Sequence, residues 1–417
     1  MTATRPQLFD LSVVPFRLEG GVQLPQLHLR GFSWGPATDD AVGAHRLGED
    51  DPAYEREHPV RRSRAELAAM PPPARAATTT EVPTVLIVHA LTADARVGGP
   101  GGWWAPLCGS GQPFDPDEVR ILCFNNLGSC YGSYGPADEG FPRLRDEPPP
   151  SPFTGKGAFA LDPDLPATIT SWDQARAILL GLDALGIDRI DMVTGGSVGG
   201  MVTLCLAALA PKRFRRVVPV ATSARSNAWL RGWNHIARMA ILADPGYPAS
   251  PDRGLELARQ VAHMTYRSES GLGTREAARG ASWHPQDPLG VQTYLEHQGA
   301  KLRNRFYASA YLSQLTVMDH HDLSRPPGSP SPGERWTPDG PWGEERIQAP
   351  TLAIAVDSDQ LFFAHHSQHL VETLSAAGRR AECFTIRSPH GHDAFLLEWD
   401  QLREAFGRAW NLPPQLA

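Results

Sequence analysis

The sequence predicts an α/β protein: a doubly wound, mostly parallel sheet interrupted by a block of helices. Three observations carry this. Short β-branched apolar runs recur along the chain, helical patterns separate them, and between about residues 225 and 346 only helical patterns remain. Parallel strands covered on both faces lose the alternation of a half-exposed strand and become near-continuous apolar runs. Strands alternating with helices imply a doubly wound sheet.

The strand-like runs are TVLIVHA (84–90), VRILCFNN (119–126), RIDMVTG (189–195), RRVVPVAT (215–222), TLAIAVDS (351–358) and AECFTIRS (381–388). Before the third run, SWDQARAILLGLDALG reads as a helix with Ser171 as N-cap and Gln174 at the capping-box spacing. After it, MVTLCLAALA reads as a helix stopped by Pro211. The helical block contains SNAWLRGWNHIARMAILAD, LELARQVAHMTYRS and VQTYLEHQGAKLRNRFYASAYLSQL. The stretches 36–83 and 326–341 lack apolar periodicity and carry PPPARAATTT and PPGSPSPG, so they read as surface insertions. The expected organisation is a core formed by residues 1–224 and 347–417, with residues 225–346 inserted as a helical lid. Such a lid would cover the carboxyl edge of the sheet, where open α/β sheets bind ligands.

Composition narrows the function classes. The 417 residues are 41% hydrophobic and 20% charged, with a net charge of −7 and both signs scattered. No basic face recommends nucleic acid. The five cysteines (Cys108, Cys123, Cys130, Cys205, Cys383) are odd in number and form no CxxC pair, which argues for reduced thiols in a cytoplasm. No signal peptide and no membrane span are expected from the apolar pattern. His320–His321 and the HHSQH run (His365–His369) lack nearby cysteines and a ligand spacing, so no metal is expected.

The stretch DMVTGGSVGGM (191–201) poses the functional question. A phosphate-binding Walker loop needs a lysine after the last glycine, and none follows Gly200. A dinucleotide fingerprint needs glycine where Ser197 stands. Gly195-Gly196-Ser197-Val198-Gly199 instead matches Gly-x-Ser-x-Gly, a serine on a tight strand-to-helix turn, and strand, turn and helix are all in place. That motif demands an acid after a late strand and a histidine after the last. Asp357 and Asp359 follow TLAIAV, and His390 and His392 follow AECFTI, so the order is met. Asp357 is nearer the strand end and suits loop amides, which favours Asp359. His392 is favoured over His390 because Gly391 permits close approach and Phe395 begins a segment able to fix the ring. His89, at a strand end, reads as a structural hydrogen-bonder.

HALTADARVGGPGGWW, GSGQPFD, NNLGSCYGSYGP, GGSVGGM, VDSDQLFF and HGHDAFLLE resemble, in order and spacing, the homoserine O-acetyltransferase family, a branch of the α/β-hydrolase fold. The resemblance runs from about Phe9 to Trp399, interrupted by the two proline-rich stretches. It implies acyl transfer from acetyl-CoA or succinyl-CoA, a co-substrate rather than a bound cofactor, to the hydroxyl of homoserine or serine, a step towards methionine. It also implies a homodimer. Ser197 is then the nucleophile, His392 the base and Asp359 the orienting acid, with the N–H groups of Leu91 and Val198 forming the oxyanion hole. Arg238, in NHIARMAI, would meet the substrate carboxylate, and Asp393 its amine. Outside that role, Arg238 would serve as a lid ion-pair partner, and Asp393 as a favourable charge at a helix start. The chain departs from the family pattern at Val198 (usually Met or Leu) and Ala93 (usually glycine). An esterase is the competing class on the same fold.

Overall fold

The computed structural model describes residues 6–13, 15–24, 26–36, 45–46, 59–69, 82–147, 162, 164–279, 284, 286–328 and 342–415. Much of both proline-rich stretches therefore lies outside the described residues.

In chain order the strands are β1 (Gln7–Val13), β2 (Phe16–Arg17), β3 (Gln23–Leu24), β4 (Leu27–Trp34), β5 (His45–Arg46), β6 (Thr84–Val88), β7 (Arg120–Phe124), β8 (Met192–Gly196), β9 (Val217–Val220), β10 (Thr351–Val356) and β11 (Ala381–Ile386). The helices are α1 (Arg64–Ala69), α2 (Ser171–Ala184), α3 (Val198–Leu209), α4 (Ala228–Leu242), α5 (Asp252–Tyr266), α6 (Glu269–Arg279), α7 (Gly290–Arg303), α8 (Ala308–Asp319), α9 (Ala364–Ala376) and α10 (Trp399–Asn411). Among the described residues nine strands form one sheet in the order β11-β10-β9-β8-β6-β7-β4-β1-β5, and β2 pairs with β3 separately. The six runs expected from sequence are β6 to β11, mutually parallel from β11 across to β7. The antiparallel β4 and β1 extend this sheet beyond β7.

The two faces of the sheet explain the continuous apolar runs. On one face Leu86, Val88, Leu122, Phe124, Val193 and Val217 join a core with α2, α3 and α9. On the other Val85, Ile87, Ile121, Met192, Val218 and Ile354 join a core with α10, Trp104 and Phe114. Neighbouring side chains of one strand thus bury in opposite cores, and each strand becomes apolar throughout.

Two local expectations need correction. The N-cap of α2 is Thr170, not Ser171: its side chain accepts the Asp173 N–H, and Asp173 Oδ2 accepts the Thr170 N–H. The run at 291–315 is two helices, not one. It breaks at Asn304–Tyr307, where Arg305 turns aside to donate from Nη1 to the Thr92 carbonyl (2.6 Å) and to Tyr131 Oη (2.9 Å). Among the described residues five helices, α4 to α8, run between β9 and β10, α6 among them without having been singled out in the sequence.

At the antiparallel end, buried Asp10 of β1 accepts from Arg30 of β4 at 2.9 and 2.8 Å and from Arg62 at 2.9 Å. Burial alone would raise the Asp10 pKa, but the two guanidinium groups hold it below the usual value of 3.8. A carboxylate depressed in the fold contributes stability at pH values above its unfolded pKa, and loses it as pH falls through the folded one. Asp10→Ala removes the carboxylate that the buried Arg30 and Arg62 share and is expected to destabilise by about 3–5 kcal/mol. A urea unfolding curve reads this as a lower midpoint at neutral pH, and the gap between variant and wild type should close in acid.

Candidate active site

Ser197 sits between β8 and α3 at φ 59°, ψ −124°. A side-chain-bearing residue at positive φ is uncommon and is held only where its surroundings fix it. Three contacts do so. The Ser197 N–H donates to the Val220 carbonyl (2.9 Å), the Thr222 hydroxyl donates to the Ser197 carbonyl (2.8 Å), and α3 packs its first turn onto β6. That packing explains the flanking glycines. A Cβ at Gly199 would lie 2.2 Å from the Val88 carbonyl oxygen, and one at Gly195 would lie 2.6 Å from the same atom. The turn places Ser197 at the N-terminus of α3, where the Val198 N–H belongs to the first turn and has no intrahelical acceptor.

The loop after β6 supplies the facing wall. His89 is fully buried and bridges it: the Asn126 N–H donates to its Nε2 (2.9 Å), so Nδ1 carries the proton and donates to the Ala90 carbonyl (2.8 Å). Burial presses its pKa down to about 4, and the ring stays neutral. His89 thus fixes the turn that carries Leu91.

The acid and histidine meet after β10 and β11. His392 Nδ1–H donates to Asp359 Oδ2 at 2.7 Å, and both side chains are buried. The other carboxylate oxygen of Asp359 accepts the N–H groups of Leu361 (2.8 Å) and Phe362 (2.9 Å), so the acid is locked by its own loop. Asp357 serves a different end, accepting the Ser388 N–H at 3.0 Å. The His392 ring lies among Phe362 (centroids 5.3 Å apart), Phe395 (5.3 Å) and Tyr266 (5.6 Å). Phe395 also lies over Gly196, where a Cβ would be 2.5 Å from its ring, so the histidine segment packs directly on the serine turn.

Beside His392, Asp393 faces Arg267, with Nε 3.1 Å from Oδ2. The same Nε donates to Tyr294 Oη at 3.1 Å. Burial raises the Asp393 pKa against the opposing charges of Arg267 and Arg259. Arg238 is elsewhere: its guanidinium pairs with Asp319 at 2.5 Å, in a separate cavity with Leu312, Thr316 and His320. Of the residues singled out by sequence, the structure brings Asp359, His392 and Asp393 together and leaves Arg238 in a lid ion pair. Arg267, just past the end of α5, is the cation that meets Asp393, and sequence reasoning missed it. Its only signal was its place in the TYRS segment closing a lid helix. Among the described residues there is no group of three or more potential metal ligands.

A serine on a strained strand-to-helix turn at the carboxyl edge of a parallel sheet, with a His–Asp pair packed against it, defines an α/β hydrolase. The family model described as alpha/beta hydrolase fold matches residues 83–398. Homoserine O-acetyltransferase of Nostoc punctiforme is 37% identical over 327 residues, covering 77% of this chain and 83% of that protein. The Thermus thermophilus homoserine O-acetyltransferase is 36% identical over 345 residues, covering 77% and 80%. Among solved structures, the homoserine O-acetyltransferase of Bacillus anthracis superposes with a TM-score of 0.72 at 19% identity over the full length of both chains. An acetylester hydrolase of Corynebacterium glutamicum does so at 0.64 and 16%, covering 96% of this chain and 95% of that one, which extends the likeness of fold across transferases and esterases. The chain belongs to the homoserine O-acetyltransferase family and is an acyltransferase.

The electrostatics of His392 give a measurable consequence. Burial presses its pKa down, but the Asp359 charge, the Asp359 hydrogen bond and the Asp393 charge outweigh it and leave the imidazole above 6.5. Removing either carboxylate should lower that value, because each favours the charged ring. Histidine NMR titration is expected to show His392 above 6.5 in the wild type and lower in Asp393→Asn. A wild-type value below 6.5, or no change in the variant, contradicts this account.

Proposed function

We propose that the protein transfers an acetyl group from acetyl-CoA to the hydroxyl of L-homoserine through an acyl-enzyme on Ser197, with ping-pong kinetics, as a cytoplasmic step of methionine biosynthesis. The observation that carries the transferase reading is the Asp393–Arg267 pair beside His392. An amino acid is a zwitterion, and a partly buried anion and cation a few ångströms apart match it: Asp393 for the ammonium group, Arg267 for the carboxylate. Arg is suited to this because its planar fork meets a carboxylate bidentately.

The chemistry proceeds in two balanced halves. His392, through the ring nitrogen opposite the one bonded to Asp359, takes the Ser197 hydroxyl proton as Oγ attacks the thioester carbon. The tetrahedral oxyanion is held by the N–H groups of Leu91 and Val198, a donor pair of which each member is worth roughly 10²–10³ in rate. The C–S bond breaks and the proton returns to the leaving thiolate. In the second half His392 takes the homoserine hydroxyl proton as that oxygen attacks the acyl carbon, the C–Oγ ester bond breaks, and Ser197 recovers its proton. Asp359 holds the tautomer and faces the imidazolium that forms. The helical segment 225–346 acts as the lid, keeping water from the acyl-enzyme while the acceptor is positioned.

Succinyl transfer to homoserine or serine uses the same steps with another acyl pocket, and an esterase replaces the amino acid by water. One experiment separates them: incubate with acetyl-CoA or succinyl-CoA, with and without L-homoserine or L-serine, and follow free CoA and O-acyl product. Acetyl-CoA with L-homoserine is expected to be fastest. Ser197→Ala should lower kcat at least about 10³-fold. Arg267→Ala should raise the homoserine KM by about 10- to 100-fold, with slow CoA release to water retained. CoA release that no amino acid accelerates would falsify the transferase reading.

A homodimer is proposed as the assembly. Trp229, Ile236 and Met239 of α4 and Leu257 and Met264 of α5 are exposed large apolar side chains on the lid helices, an excess that favours a second copy as their cover. Ile236→Asp combined with Leu257→Asp is expected to convert a dimer to a monomer in sedimentation equilibrium. A monomeric wild type removes this assembly from consideration.

A further inference from the structure

Arg267 stands just past the end of α5, with an extended backbone at φ −105°, ψ 143°. The helix therefore does not fix its side chain, and a long arginine side chain keeps much rotamer freedom unless something else holds it. We propose that Tyr294, backed by His263, is the positioning residue that holds the Arg267 guanidinium, and that this hold makes the site select acceptors that carry a carboxylate. The inference rests on the acceptor reading above and adds to it the residues that orient the cation.

The bonds of Arg267 are unevenly distributed. Its Nε–H donates to Tyr294 Oη at 3.1 Å, and its guanidinium carbon lies 6.0 Å from the Tyr294 ring centroid. Asp393 Oδ2 is 3.1 Å from the same nitrogen. Nε is thus committed between a hydroxyl and a carboxylate. Among the described residues neither terminal nitrogen of Arg267 makes a hydrogen bond. The guanidinium is planar, so fixing Nε–H also fixes where those two nitrogens point, and they form the fork that meets a carboxylate in two parallel bonds.

Tyr294 is held from behind. It is buried on α7, and its Oη lies 3.1 Å from Nδ1 of buried His263. A hydroxyl that accepts from Arg267 keeps its own proton to donate, and Nδ1 of a neutral imidazole accepts it. His263 comes four residues before Arg267 and packs edge-on against both Tyr294 and Tyr266, each with centroids 5.6 Å apart. A buried tyrosine hydroxyl needs one partner, and His263 alone would satisfy it. The bond to Arg267 goes beyond that need. Arg267 and Tyr294 also border a cavity of about 280 Å³. Open space therefore lies beside the guanidinium, and once released from Tyr294 it can turn into it.

The test removes the hold without removing the cation. Tyr294→Phe keeps the ring and deletes Oη. It should raise the KM for L-homoserine about tenfold, while kcat at saturation changes by less than about twofold. For 3-aminopropanol, which keeps the amine and hydroxyl of homoserine and lacks its carboxylate, kcat/KM should change by less than about twofold, and this also reports a folded site. His263→Leu should reproduce the homoserine defect. His263→Asn, whose amide oxygen can stand where Nδ1 stands, should restore the wild-type KM. Adding His263→Leu to Tyr294→Phe should cost nothing further, because both break one chain of bonds. Equal losses with the two acceptors, a lower kcat without a change in KM, or no effect of either substitution overturns the proposal.

A second readout is independent of the acceptor. In protein isotopically labelled at arginine Nε, the Arg267 Nε–H signal is identified by its absence in Arg267→Lys. It should exchange slowly with water in the wild type and in His263→Asn, and at least about tenfold faster in Tyr294→Phe and His263→Leu. If no amino acid accelerates CoA release, the acceptor reading falls and this signal decides the positioning alone. Slow exchange that Tyr294→Phe accelerates upholds the hold on Arg267, and exchange that the substitution leaves unchanged refutes it.

Discussion

The site is organised around one strained backbone position. Ser197 at φ 59° costs of the order of 1–3 kcal/mol relative to an ordinary conformation, and the strain persists only because neighbouring groups over-determine it. The Val220 carbonyl and the Thr222 hydroxyl, both at the end of β9, and the contact of Gly199 with Val88 at the end of β6 fix the turn from two neighbouring strand ends. That closeness is possible because β6, β8 and β9 are adjacent parallel strands whose carboxyl ends lie together. Sheet topology, glycine placement and the serine's backbone conformation are therefore parts of one constraint. In the proposed reaction, the helix that begins at Val198 would offer its first-turn N–H where negative charge develops.

The charges around His392 balance each other in a way that would suit the base of the proposed reaction, which must both gain and lose a proton. Burial alone would leave the ring neutral but weak. Asp359, fixed by two backbone N–H groups, and Asp393, faced by Arg267, restore basicity by favouring the imidazolium. Both carboxylates are themselves anchored, so little reorganisation accompanies proton transfer. Tyr266, Phe362 and Phe395 surround the ring with aromatic surface, and this excludes water while leaving the charge balance to the two acids.

The parts of this arrangement that were legible in sequence are those with a local pattern. The six parallel strands stood out because burial on both faces makes them apolar throughout, and the serine, acid and histidine stood out by their order. The strands β1 and β4 did not, because Asp10 and Arg30 interrupt their apolar pattern. These two neutralise each other across the sheet, with Arg62 joining from a third segment. The break between α7 and α8 has no glycine or proline to announce it, and tertiary bonds from Arg305 decide it. Asp357 and Asp359 are two residues apart, and only the geometry distinguishes the one that serves a loop amide from the one that meets His392. Arg267 was invisible for the same reason: its meaning lies in a residue 126 positions away, Asp393.

The fold by itself does not separate transfer from hydrolysis, since an acetylester hydrolase and a homoserine O-acetyltransferase share it with this chain. The difference must lie in what competes with water at the acyl-enzyme. The end of α5 contributes two neighbouring features to that competition. Tyr266 packs against the His392 ring, and Arg267, the next residue, supplies the cation beside Asp393. In the proposed reaction, water exclusion and the charge that meets the acceptor would thus both come from one point of the helical insertion. Any movement that opened the wall would also withdraw the carboxylate's partner, so in the proposed reaction an acyl-enzyme without an acceptor and one exposed to water would be linked states. In the proposed reaction, that linkage is what turns a fold shared with esterases towards an amino-acid hydroxyl.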